Sequence, residues 1–266
     1  MLTIDRVSKH FGGVYANRDV SMEVPDGELR GVIGPNGAGK STLFNLVAGH
    51  LRPDSGSVSL DGRPLDRMPP HVRARHGVAI VFQGARLFPG MTVLENVMVG
   101  AHARTHGGLV AAVVRPPSQR RQERETRELA ERCLARVGLE AAAQQPAAAL
   151  PLGQQRRLQV ARALAGQPRV LLLDEPASGL RAGERTDLTD LVRELNADGM
   201  TILLVEHDVG MVTSLAHRIT VLDLGEVIAD GTPAEVTTDP RVITAYLGAG
   251  GQHAAQHTGA QHVAHR

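Results

Sequence analysis

One short segment of the sequence carries the residue types that bind phosphate: Gly34-Pro35-Asn36-Gly37-Ala38-Gly39-Lys40-Ser41-Thr42. Its glycines allow backbone conformations that point successive amides at phosphate oxygens. The Lys40 ammonium can reach the β- and γ-phosphates of a nucleotide, and the Ser41 hydroxyl can bind Mg²⁺. The chain has 29 lysines and arginines, of which only Lys9 and Lys40 are lysine. A lysine kept at this place strengthens the prediction of a nucleotide site.

Apolar residues on both sides of this segment predict the elements that position it. Val32 and Ile33 are typical of the end of a buried strand, and apolar residues recur at helical spacing over 43–47. A helix starting near Lys40 would present the positive end of its dipole to the phosphates. The order strand, glycine-rich loop, helix is the context that a phosphate-binding loop requires.

A second apolar run ends in two carboxylates. Residues 170–173 are apolar and are followed by Asp174 and Glu175. A buried parallel strand has this pattern, and ligands bind at the carboxyl edge of such sheets. Asp174 would hold Mg²⁺, and Glu175 would polarise an attacking water. Alone, the pattern fits equally well a strand end with solvated acids; the phosphate loop favours the functional interpretation.

Three further segments belong to the same set. An apolar strand over 78–82 precedes Gln83, and another over 201–205 comes shortly before His207. Residues 150–154, Leu-Pro-Leu-Gly-Gln, precede a helix in which Leu158, Ala161 and Ala165 recur on one face.

The whole set resembles the ATP-binding subunit of an ABC transporter, over about residues 2–247. The segments 87–97 and 233–247, and the insert around Arg115, look similar to the branched-chain amino acid importer subgroup. The resemblance implies an α/β fold: a P-loop NTPase (RecA-like) parallel-sheet core, an antiparallel β region and an inserted α-helical subdomain. It also implies ATP and Mg²⁺ as the bound groups.

Roles follow from the resemblance residue by residue. Glu175, His207 and Gln83 would be catalytic, with His207 contacting the γ-phosphate and Gln83 reaching Mg²⁺ or the attacking water. Ser41, Gln83 and Asp174 would hold the metal. Residues 34–42 would bind the nucleotide, whose adenine would stack on Phe11. Nearby Tyr15 competes for that stacking role, and ordinary strand packing remains open for both rings.

The signature residues Leu152, Gly153 and Gln154 would face the nucleotide of a second copy, which makes dimerisation part of the mechanism. Two positions depart from the family pattern. Pro151 stands where a serine is usual, so that contact with the partner's γ-phosphate would rest on the Gly153 amide and the start of its helix. Arg181 stands in the D-loop, 178–181, where Asp or Asn is usual.

The expected organisation is a single ATP-binding domain over 1–247, with a helical subdomain at about 88–165. Strands are expected near 169–173, 201–205 and 218–223. The histidine-rich tail, 248–266, lacks acidic or cysteine partners for a metal and is expected to be disordered.

Composition excludes several classes. The net charge of +1 and 2% aromatic residues give no basis for nucleic-acid binding. No apolar stretch approaches the roughly 20 residues that span a bilayer, and no signal peptide is expected. One cysteine rules out an internal disulfide. We expect a cytoplasmic protein, peripheral on the inner face of the membrane. Its partners would be a second ATP-binding subunit, identical or not, membrane permeases and, indirectly, a substrate-binding protein.

The sequence argues against three other classes of nucleotide-binding protein and leaves the transported solute open. A GTPase would need an Asn-Lys-x-Asp segment, which this sequence lacks. An ABC ATPase of DNA repair would need a long coiled coil between Lys40 and Asp174, and the 133 intervening residues lack sustained heptads. A translation-associated ABC factor generally carries two cassettes. The transported solute, expected to be a branched-chain amino acid, could instead be urea or a short amide.

Overall fold

A computed structural model describes residues 1–84, 87–101 and 117–246. Its strands are β1 (Leu2–Phe11), β2 (Val14–Val24), β3 (Leu29–Ile33), β4 (Ser55–Leu60), β5 (Arg63–Pro64), β6 (Val78–Val81), β7 (Val170–Asp174), β8 (Thr201–Val205), β9 (Arg218–Asp223) and β10 (Glu226–Gly231). Its helices are α1 (Lys40–Ala48), α2 (Pro70–Arg75), α3 (Val93–Ala101), α4 (Pro117–Arg136), α5 (Leu152–Ala165), α6 (Ala182–Ala197), α7 (Val209–Leu215) and α8 (Pro233–Thr238).

The larger sheet has the order β10-β9-β3-β8-β7-β6, and all its neighbouring pairs are parallel except β10 with β9. Every residue of β3, β7 and β8 is buried, which explains the apolar runs of β7 and β8. In β3 the buried Arg30 is paired, with its Nη1 2.6 Å from Asp230 Oδ2. The carboxyl ends of these three strands lie at one edge of the sheet. The predicted phosphate loop, the Asp174–Glu175 pair and His207 therefore meet at that edge.

The smaller sheet is antiparallel, with the order β2-β1-β4-β5. Its apolar residues form one core with α1 and one face of the larger sheet, and Phe44 of α1 is fully buried there. The opposite face packs against helices, and the cluster includes residues of α3, α4 and α5 such as Val97, Leu134 and Leu158. The predicted α/β class, with parallel core, antiparallel region and helical part, is confirmed.

The carboxyl end of α1 is held by a buried arginine. Arg73 donates to the carbonyl oxygens of Leu46 and Val47 at 2.5 and 2.9 Å, and to that of Met68 at 3.0 Å. The last carbonyls of a helix have no partner within the helix, so this guanidinium satisfies them. It fixes α1, and with it the loop at the other end of the helix.

No helix within the described residues is long and apolar enough to cross a membrane. The segment around Arg115 and the histidine-rich tail lie outside the described residues, so the expectations for them stay predictions.

Candidate functional site

The phosphate loop joins β3 to α1 in a conformation that needs glycine at both ends. Gly34 and Gly39 have φ values of +151° and +99°. A Cβ on Gly34 would lie 2.0 Å from the Leu222 carbonyl oxygen, and one on Gly39 would lie 2.1 Å from that of Ala16. Both obstacles are backbone atoms, which cannot move aside cheaply. The loop is therefore held from two sides, by β9 and by β2.

Lys40, the first residue of α1, turns its side chain back into the loop. Its Nζ donates to the carbonyl oxygens of Gly34 at 2.7 Å and Pro35 at 2.9 Å. The side chain is buried, and desolvation lowers the pKa of Lys40, while the charges of Glu175 and Asp174 act in the opposite direction. A cation is thus built into the loop, beside two carboxylates.

Asp174, the last residue of β7, is a buried carboxylate with unused bonding capacity. Its Oδ1 is buried and has no hydrogen-bond partner among the described residues. Burial raises the pKa of Asp174, the neighbouring charge of Glu175 adds to this, and a hydrogen bond with Ser41 and the Lys40 charge oppose it. Oxygen donors of this kind suit Mg²⁺. The residues present therefore fit the metal that the sequence predicts, with Ser41 beside Asp174.

Glu175 leaves the strand in a left-handed conformation, with φ +49°, uncommon for a residue with a side chain. Its Oε2 accepts from Gln83 Nε2 at 2.6 Å, and its Oε1 lies 2.7 Å from His207 Nε2. The backbone turn directs the carboxylate between two side chains from different strand ends. The three predicted catalytic residues thus form one hydrogen-bonded group.

Glu206 supports this group and is not among the residues predicted from the sequence. Its side chain is buried, and it accepts from the backbone N–H of Ala177 at 2.7 Å and of His207 at 3.3 Å. Burial is the main cause that raises the pKa of Glu206. An acid directly after a buried apolar strand was the available signal, since Asp174 has the same setting.

The signature residues contact another part of the chain. Leu152, the first residue of α5, is half exposed, and the Gly153 N–H donates to Glu184 Oε1 at 3.1 Å. Glu184 lies in the first turn of α6, directly after the D-loop. The Gly153 amide is therefore engaged by the D-loop side of the molecule, not by the phosphate loop of its own chain.

Phe11 and Tyr15 lie at the tip of the β1–β2 hairpin, each with about half of its surface exposed. Phe11 pairs with Val14, and Tyr15 pairs with His10. Because neighbours along a strand point to opposite faces, the two rings lie on opposite faces of the hairpin. Neither is part of the buried core, and only one of them can serve a base bound on a given face.

Comparisons with known proteins agree with this geometry. Residues 17–178 match the family described as ABC transporter, and residues 226–251 match the family described as branched-chain amino acid ATP-binding cassette transporter. The chain is 41% identical to the high-affinity branched-chain amino acid transport ATP-binding protein BraF of Pseudomonas aeruginosa, over 93% of this chain and 98% of the relative.

Two solved structures are also similar. One is a nucleotide-free ATP-binding cassette from an ABC transporter, with a TM-score of 0.81 and 30% identity over 92% of this chain and 98% of that one. The other is a dimeric post-hydrolysis cassette bound to ADP and phosphate, with a TM-score of 0.73 and 30% identity over 88% and 99%.

Proposed function

The chain belongs to the ABC transporter family as an ATP-hydrolysing subunit, and from that premise we propose that it powers the import of branched-chain amino acids. The observation that carries the catalytic part is the position of Glu175, held between Gln83 and His207 beside Asp174 and Lys40. The substrate part is supported by the match of residues 226–251 and by the name of the 41% identical relative. Urea and short amides are the competing substrates.

In this proposal, residues 34–42 hold the phosphates of ATP. Amides of a glycine-rich loop and the start of α1 offer donors and a positive dipole end to the phosphate oxygens. Lys40 already points into the loop, so binding requires only that its ammonium exchange carbonyl oxygens for phosphate oxygens. Phe11 would stack on the adenine from the hairpin tip.

Glu175 would orient and deprotonate the attacking water. One of its oxygens is held by Gln83 and the other by His207, which limits the carboxylate to one orientation. A positioned general base contributes roughly 10²- to 10⁴-fold to a rate. His207 would also contact the γ-phosphate as the water attacks in line.

Ser41, Asp174 and Gln83 would hold Mg²⁺. When bound, the ion supplies positive charge that offsets the charge of the β- and γ-phosphates. The buried, unpaired Oδ1 of Asp174 supports its place in that set.

ABC cassettes dimerise and act with permease subunits, and for this chain we propose the particular surfaces. Leu152, Gly153 and Gln154 would face the nucleotide of a second cassette, identical or related. The dimeric cassette with ADP and phosphate, 30% identical to this chain, supports this arrangement.

A permease helix would dock in a cavity of about 470 Å³ between the larger sheet and the helical part. Its lining is mostly apolar and includes Ala48, Pro70, Phe82 and Val99. Gln159 of α5 donates to the carbonyl oxygen of Gly84, which also lines the cavity, at 2.8 Å. Because Gln83 is bonded to Glu175, this path links the catalytic group to the docking surface. Docking there would make the subunit peripheral on the inner face of the membrane.

The test is reconstitution of the chain with its permeases and the associated binding protein in vesicles loaded with ATP. We expect uptake of labelled leucine, isoleucine or valine, and its loss in Lys40→Ala. Arg121→Ala is the control, because it removes an exposed basic side chain that pairs with Glu125 on α4, outside the loop. Uptake of urea or acetamide in place of leucine would contradict the substrate assignment while leaving the ATPase assignment intact.

A further inference from the structure

We propose that Glu184 is an internal substitute for the partner's γ-phosphate: its carboxylate occupies the Gly153 amide until the nucleotide of a second copy displaces it. This inference rests on the proposed dimer, in which the signature segment faces the partner's nucleotide. It adds a displacement step within this chain, which sets how readily the dimer forms.

The first support is geometric. Glu184 Oε1 accepts from the N–H of Gly153 at 3.1 Å, and Oε2 accepts from the N–H of Arg181 at 3.0 Å. One carboxylate thus bridges the start of α5 and the residue that precedes α6. An anion at the first turn of a helix satisfies free amides and meets the positive end of the dipole. A phosphate oxygen would seek the same amide for the same reasons.

The second support is steric and electrostatic. A Cβ on Gly153 would lie only 2.8 Å from Glu184 Oε1, so the carboxylate is packed directly on this glycine. The Arg181 and Gly153 amides lower the pKa of Glu184, which keeps the group charged at neutral pH. A second anion arriving at the Gly153 amide would be repelled by this charge. The two anions therefore exclude each other.

The third support is that Glu184 is free to leave. The residue is not buried, and its side chain can swing into solvent. Helix α5 is also joined to the D-loop, because Arg156 donates to the carbonyl oxygen of Ser178 at 3.2 Å, and to α6, because Arg157 pairs with Asp187 at 2.8 Å. The D-loop and the signature helix would stay aligned after Glu184 moves.

The experiment measures ATP-dependent dimerisation by light scattering, in a Glu175→Gln background that slows hydrolysis. Glu184→Gln keeps an oxygen acceptor and removes the charge. We expect its half-maximal ATP concentration for dimerisation to fall roughly fivefold or more, because like charges no longer meet at one amide. Asp190→Asn is the matched control on the same helix, since it removes an exposed carboxylate that pairs with Arg193 of α6 itself and does not touch Gly153.

Glu184→Ala gives a second readout. We expect a lower melting temperature, because a helix start loses its acceptor, together with dimerisation at lower ATP than the parent. A merely structural role would weaken folding and dimerisation together. An unchanged or higher ATP requirement in Glu184→Gln would overturn the inference alone. If the Glu175→Gln parent binds ATP and never dimerises, the proposed dimer fails and the inference fails with it.

Discussion

Two helices, α1 and α5, begin at residues that are predicted to bind phosphate, and the charged side chains at their first turns differ. The phosphate loop leads into α1 and contains its own cation, Lys40, bonded to loop carbonyls. The signature segment forms the first turn of α5 and is preceded by Pro151. The amide of its second residue, Gly153, donates to the carboxylate of Glu184. The first start is prepared for the nucleotide that its own chain binds. The second is closed by an anion of its own chain, and we propose that another copy completes it.

The surroundings of one glycine in each segment show how rigid each start is. Gly39 has positive φ, and the nearest obstacle to a side chain there is backbone, the carbonyl oxygen of Ala16. At Gly153 the nearest obstacle is the end of the Glu184 side chain. Backbone cannot yield without moving a strand, whereas a solvated carboxylate can rotate away. The comparison therefore predicts an intolerant loop and an adjustable signature segment.

The largest effect is expected on ATP turnover, from substitution of the proposed general base, Glu175. Glu175→Gln should lower ATP turnover by roughly 10²- to 10⁴-fold, because the amide cannot accept a proton from water. ATP binding should be retained, because Gly34–Thr42 remain intact. The measurement is steady-state phosphate release beside a nucleotide titration. Glu131→Gln, an exposed carboxylate on α4, is the control, and an unchanged rate in Glu175→Gln would remove it as the base.

The next largest effect should come from the rigid glycine. Gly39→Ala should lower the free energy of unfolding by about 2 kcal/mol or more, from left-handed strain plus the clash with Ala16. It should weaken ATP binding at least about tenfold, since about 1.4 kcal/mol of lost contact suffices for that. Gly37→Ala is the matched control: it has φ +82° and no atom within 4 Å of the added Cβ. Equal losses in both variants would show that strain alone, and not the packed loop, is responsible.

Much of the framework could be predicted from local patterns. The strands Thr201–Val205 and Arg218–Asp223 lie where the sequence places them, and Val170–Asp174 differs from its expected range by one residue. Continuous apolar runs mark buried parallel strands reliably because both faces must be covered. The grouping of Gln83, Glu175 and His207 is also as expected, because parallel strands end at one edge.

What could not be predicted depends on contacts between distant segments. The partner of Gly153 is 31 positions away, on a helix whose orientation no local pattern specifies. The position of Glu206 after an apolar strand marks it as a candidate, but its burial and its bond to Ala177 cannot be read from the sequence. Arg73 is one of 27 arginines, and nothing in its neighbourhood indicates that it caps α1.

A smaller effect is expected from Gly153. It should concern hydrolysis that depends on protein concentration, and not stability or ATP binding to the single chain. Gly153→Ala should push Glu184 aside and change the free energy of unfolding by less than about 1 kcal/mol, since the end of a partly exposed side chain can rearrange. ATP binding to the single chain should stay within about twofold of the parent, well under 1.4 kcal/mol. Hydrolysis that depends on protein concentration should change, because in the proposed dimer the altered surface faces the second copy. A loss of single-chain ATP binding as large as in Gly39→Ala would abolish the distinction between the two segments.

The smallest expected effect is on the pH dependence of stability. It contrasts Glu206, beside the catalytic group, with Glu184, beside the signature segment. Burial raises the pKa of Glu206, so the native state holds that proton more tightly than the unfolded chain. Its contribution to stability is complete below the ordinary value of 4.5 and is lost as pH rises through the raised pKa.

The pKa of Glu184 is lowered by its two amides, so its contribution is present above 4.5 and is lost as pH falls through the lowered pKa. Urea unfolding from about pH 2 to 8 should therefore show opposite changes in two variants. Glu206→Gln should remove a decline toward high pH, and Glu184→Gln should remove a decline toward low pH. Slopes of the same sign would mean that the two carboxylates have similar surroundings, contrary to the structure.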